Sequence, residues 1–154
     1  MDTAENRQKF TELGGSGFKV SRDTEALPQT GDGALFTITG GLVRVTLIVG
    51  EVTTVIQTQA NNTKLVFNPA ASGADQDICA VLSITGDPVG ELYTISGTVG
   101  DAMRSDLLIG NGMDQDLILS EGDIELNCAA SNTGSVKWSV WYYPIDLGAV
   151  VNVS

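Results

Sequence analysis

The sequence contains no histidine, only 2 cysteines in 154 residues, and 8 basic residues against 19 acidic ones. Each scarcity excludes something. Without histidine the chain lacks the commonest general base near neutral pH and the commonest metal ligand. The Ser-His-Asp route to hydrolysis is closed for the same reason. Cys79 and Cys128 lie far apart and form no CxxC pair, which supports neither a disulfide scaffold nor a zinc site. A formal net charge of -11 repels nucleic acid and anionic membranes alike, so neither is expected as a partner. No apolar run approaches the length of a membrane helix. The polar opening MDTAENRQKFTELGG lacks the apolar centre of a secretory leader and starts at Met1, so a product made in the cytoplasm is expected.

What is present points to a single small domain. Hydrophobic residues supply 42%, charged residues 18%, and there are 18 glycines, a balance unlike a charged disordered chain or a coiled coil. Charge is unevenly placed. Residues 1–25 hold four basic and five acidic residues, leaving four basic and fourteen acidic in the remainder. The leading segment also carries Gly14-Gly15-Ser16-Gly17 and only sparse apolar positions at Phe10, Leu13, Phe18 and Val20. Ala4 to Leu13 is long enough for one short helix. Residues 1–30 therefore read as an extended N-terminal arm, ended by the turn-rich Leu27–Gly33, with a disordered tail as the alternative.

From Ala34 onward, short β-branched runs alternate with Gly, Asn, Asp and Pro. Ala34–Thr39 and Leu42–Val49 flank Gly40-Gly41 and read as a β-hairpin. Within the second run Val43, Val45, Leu47 and Val49 share one face, with Arg44 and Thr46 opposite. Gly50-Glu51 then reads as a turn into a further strand, Val52–Thr58, where Val52 and Ile56 continue the apolar face. Lys64–Phe67, Ile78–Ile84, Leu92–Val99, Leu117–Leu119, Ile124–Cys128, Ser135–Ile145 and Ala149–Val153 follow as further strands. Ala102–Leu107 reads as one helical turn. The expected fold is all-β: an antiparallel β-sandwich or barrel, jelly-roll-like, over residues 31–154, behind the arm.

Few residues invite chemistry. By strand parity Cys128 joins Ile124 and Leu126 in the core, whereas Cys79 falls on the opposite face from Ile78, Ala80, Leu82 and Ile84. Both read as structural thiols. No GxSxG elbow or P-loop is present. Asp75, Asp77, Asp114, Asp116, Asp123 and Glu125 sit mostly at turns and strand ends, where solvated carboxylates are ordinary, so a glycosidase pair is not expected. Asn111–Asp116 places oxygen ligands at alternate positions but lacks the rest of an EF-hand loop. No catalytic residue, metal or cofactor is expected. The aromatics say more: Val136, Trp138, Val140 and Tyr142 share one face of their strand, and Lys137, Ser139, Trp141 and Tyr143 the other. One set faces the core; the other presents Trp and Tyr to a covering segment of the same chain or to a protein partner. Arg44, Thr46 and Ile48 would extend such a surface. The candidate interface is thus Phe10, Leu13, Phe18, Val20, Arg44, Trp141 and Tyr143.

The stretch from LPQTGDGALFTITGG through LYTISG, together with NTGSVKWSVWYYPIDLGA, resembles small structural proteins of tailed bacteriophages encoded near the capsid gene. Leu35–Gly41, Gly50–Thr54 and Gly134–Trp138 carry the likeness most strongly, and it spans most of residues 27–149. These are strand-and-turn patterns, not catalytic motifs. The resemblance implies a head decoration (cement) protein on the capsid surface, partnered by the major capsid protein and by copies of itself as a homotrimer. It transfers no functional residue and leaves residues 1–26 outside. A phage tail or head-tail connector component is the nearest alternative. A carbohydrate-binding module, with Trp141 and Tyr143 as its platform, is the alternative from another class.

Overall fold

The alternating runs pair into two sheets, and their apolar faces meet. The computed structural model describes residues 17–154. Among the described residues there are thirteen strands: β1 Phe18–Ser21, β2 Glu25–Ala26, β3 Gly31–Thr39, β4 Val43–Thr54, β5 Asn62–Pro69, β6 Gln76–Asp77, β7 Leu82–Ser83, β8 Glu91–Thr94, β9 Arg104–Leu107, β10 Leu117–Leu119, β11 Gly122–Cys128, β12 Ser135–Pro144 and β13 Val150–Val153. One sheet, here sheet A, runs β1-β12-β4-β8-β9, with β10 beside β4 and β2 beside β12. Sheet B runs β13-β3-β11-β5-β6, with β7 beside β5. All strand pairings are antiparallel, and neither sheet closes into a barrel among the described residues. The fold is an antiparallel β-sandwich.

Between the sheets lie Phe36, Ile38, Val45, Ile48, Leu65, Ile124 and Val140, all essentially inaccessible to solvent. Trp138 stacks on Tyr93 with ring centroids 6.2 Å apart. Gly50 makes room for that pair, since a Cβ there would lie 2.8 Å from the indole ring. Val136, Trp138, Val140 and Tyr142 are thus the core set of β12, and Lys137, Ser139, Trp141 and Tyr143 face outward.

Several local expectations are corrected. β3 and β4 are not a hairpin: β3 belongs to sheet B and β4 to sheet A, so Gly40-Gly41 is a corner between sheets. Positive φ values of 83° and 130° make that corner, and a Cβ on Gly40 would strike the Gly148 carbonyl. β4 continues through Gly50-Glu51 to Thr54 instead of turning there, because both residues stay paired with β12. It changes phase at Thr46, where its register with β12 slips by one residue. Val43 and Val45 point inward before the bulge, and Ile48, Gly50 and Val52 after it. Leu47 and Val49 therefore face out, and Ile48 is core instead of surface. Ile78–Ile84 is not one strand but β6, an isolated bridge at Ala80, and β7. Parity fails across such a broken segment, and Cys79 is buried, accepting the Leu65 N–H at 3.3 Å. Residues 104–107 form β9, not a helical turn, because Arg104–Leu107 pairs along Glu91–Thr94.

Residues 17–30 lie against the sandwich. β1 pairs with β12 over residues 18–21, and β2 pairs with its far end. Arg22 fastens this segment to both sheets. Its N–H donates to the Trp138 carbonyl of sheet A. Its Nη1 donates to the Ala34 and Leu35 carbonyls of sheet B at 3.0 and 2.5 Å, beside the bulge where β3 slips against β11. Nη2 pairs with Glu25. The expected helix at 4–13 lies outside the described residues, as do Phe10 and Leu13.

Candidate functional site

The outer face of sheet A gathers the aromatics that β12 turns away from the core. The slip at Thr46 sets the register: Trp141 lies opposite Leu47, Ser139 opposite Val49, Lys137 opposite Glu51, and Tyr143 opposite Arg44. Thr46 itself donates its hydroxyl to the Trp141 carbonyl at 3.3 Å. On the other flank, Lys19 of β1 lies opposite Trp141. Two cation–ring contacts result: Lys19 Nζ stands 5.2 Å from the Trp141 ring centroid, and the Arg44 guanidinium 4.9 Å from that of Tyr143. Arg44 also pairs with Asp116 at 3.2 Å. At a partly exposed site each such contact stabilises by about 0.5–1 kcal/mol, enough to hold both cations over the rings. Leu47 and Val49 complete a half-buried apolar strip. The product is a platform with aromatic and aliphatic side chains at its centre and Lys19 and Arg44 lying over the rings.

Of the candidate residues read from sequence, Arg44, Trp141 and Tyr143 come together on this platform. Phe18 and Val20 lie on the inner side of β1, packed against the core, with the Phe18 ring tilted 5.8 Å from that of Tyr142. Lys19, Leu47 and Val49 escaped the sequence reading. The alternation Phe18-Lys19-Val20-Ser21 was a usable signal for β1, whereas nothing in Val43–Thr54 announces the bulge that turns Leu47 and Val49 outward.

The outer face of sheet B is acidic. Carboxylate oxygens of Asp32, Asp75 and Glu125 lie within 4.8 Å of one another. Asn127 donates to Asp32 at 2.6 Å. Desolvation above all, then the charges of Asp32 and Asp75, push the Glu125 carboxyl up from its ordinary value. The Asn111–Asp116 loop is otherwise engaged. Arg104 takes the Asn111 and Gly112 carbonyls at 3.2 and 3.0 Å, and Asp116 binds Arg44. Burial raises the thiols of both Cys79 and Cys128, which keeps them protonated and unreactive at neutral pH. Tyr93 donates its hydroxyl to Asp87 at 2.6 Å, and burial foremost drives its phenol upward.

Comparison with protein families, with curated proteins and with solved structures returns no match.

Proposed function

We propose that this protein is a virion structural protein of the head decoration (cement) type, which binds the assembled phage head and adds contact area that resists internal pressure. The observation that carries the reading is the platform on sheet A, where Trp141 and Tyr143 lie under Lys19 and Arg44 beside Leu47 and Val49. Large rings held on strands desolvate at little conformational cost, which suits a protein contact. The major capsid protein and further copies of this chain are the proposed partners, with a homotrimer at local three-fold positions of the shell. The resemblance of residues 27–149 to small phage structural proteins supports the location. A connector or tail component shares these surfaces and differs only in where it sits.

A sugar platform is less well supported. Carbohydrate stacks on bare ring faces, and here a lysine and an arginine lie over them. Co-sedimentation of the purified chain with shells of the major capsid protein tests the proposal. Saturable binding to intact shells is the expected result. Binding to glycans with no affinity for shells would overturn it. Trp141→Ala sharpens the comparison: glycan binding lost with assembly intact would favour the carbohydrate module.

A further inference from the structure

Sheet A presents unlike chemistry at its two edges. At the β9 edge, the Leu108 N–H donates to the Gly90 carbonyl at 2.9 Å and draws two loops together. Val89, Leu107, Leu108 and Ile109 form an aliphatic knob there, 57%, 47%, 78% and 61% exposed. Leu108 holds a φ of 62°. That left-handed conformation costs a leucine roughly 1–2 kcal/mol, whereas Gly or Asn visits it readily. A strained leucine that touches Gly90 but stays largely in solvent adds little to the core, which makes it a candidate for contact outside the chain. Carboxylates ring the knob: Glu91 lies opposite Leu107 on β8, Asp106 precedes it, and Asp87 precedes Pro88 and Val89. Burial first, then the Asp87 charge, push the Glu91 carboxyl upward. Arg104 is the nearby cation, and it is committed to the carbonyls of Ile95, Asn111 and Gly112.

The other side of the same sheet is the complement. Exposed Lys19 lies over the half-buried Trp141, with Leu47 and Val49 alongside, and Lys137 lies farther along β12 opposite Glu51. We infer that the acid-rimmed knob of one copy docks on the Lys19 side of the platform of the next, Leu108 against Leu47 and Val49 and Asp106 towards Lys19. The inference rests on the proposed reading only in taking the platform as an assembly surface, and it names the occupant: a second copy of this chain. Like-charged bodies repel in general, and here opposite charges around two apolar surfaces overcome that repulsion locally. The two surfaces differ and lie at opposite edges of one sheet, so the contact is heterologous and closes into a ring or extends as a filament. A ring matches the proposed homotrimer.

Sedimentation of the full chain tests this. The wild type is expected to associate. Lys19→Glu and Asp106→Lys are each expected to weaken association about tenfold alone, and the double variant is expected to restore it, because every contact around a ring then pairs the two reversed charges. Leu108→Asn should abolish association while the melting midpoint holds or rises, since strain is relieved. A wild type that stays monomeric at high concentration, or a double variant that stays as dissociated as the single ones, overturns the inference. A monomer that coats shells removes self-docking and leaves the head reading standing; an oligomer that ignores shells does the reverse.

Discussion

Arg22 is the residue on which the N-terminal strands depend. It is 4% exposed, donates to two carbonyls of the opposite sheet and pairs with Glu25. Arg22→Ala removes those donors and leaves the Ala34 and Leu35 carbonyls without them, at a cost of about 2–4 kcal/mol. Urea unfolding should register that loss, and a midpoint equal to wild type would contradict the clamp. Glu125 makes a prediction of opposite sign. Its folded carboxyl is raised above the ordinary 4.5 by desolvation and by Asp32 and Asp75. The folded state therefore holds a proton that the unfolded state has released, and the charged form becomes a burden as pH rises through the folded value. Glu125→Gln is expected to raise the melting midpoint at pH 7, and the gain should fade as pH falls through the raised folded value and be gone below about 4.5. A gain that persists in acid would show another cause.

At the scale of elements, β1 and β2 decide how the N-terminal segment is to be probed. They cover the edge of β12, which would otherwise offer unpaired backbone groups. Removing residues 1–26 is expected to lower the melting midpoint and promote aggregation, whereas removing 1–16 leaves β1, β2 and Arg22 in place. Equal midpoints for the two truncations would contradict this. The shorter truncation is thus the fair probe of any role for Phe10 and Leu13 in shell binding. Much of this architecture was legible. Strict alternation in Ser135–Pro144 separated the Trp138 face from the Trp141 face without ambiguity, because every second residue is large and apolar. β4 was not, because a bulge shifts parity and Val-Arg-Val-Thr-Leu-Ile-Val carries apolar residues on both sides of the slip. Gly40-Gly41 was legible as a turn but not as a corner, since positive φ serves both and only the distant β11 and β12 choose the sheets. Cys79 was misplaced because alternation holds only within a continuous strand, and residues 78–84 are broken by a bridge to Ala102.

For the whole molecule, the missing histidine and the charge of -11 marked exclusions, and the sandwich gives the charge a direction. Sheet B turns Asp32, Asp75 and Glu125 outward. Sheet A sets Lys19 and Arg44 over its aromatics, with Asp116 on Arg44 and Glu51 opposite Lys137, and places Glu91 and Asp106 around the far knob. A body with a cationic aromatic surface and an acidic back suits ordered attachment to a protein shell, with the like-charged backs facing solvent. Association through such rims should weaken as salt rises, because partly exposed charges are screened over about 10 Å at 0.1 M. Salt-independent shell binding would contradict an electrostatic contribution. The most direct test of the central claim is the copy number and position of the protein on purified phage particles. The account predicts many copies on the outer head surface, in fixed proportion to the major capsid protein. A handful of copies at the head-tail junction, or none on the particle, would contradict it.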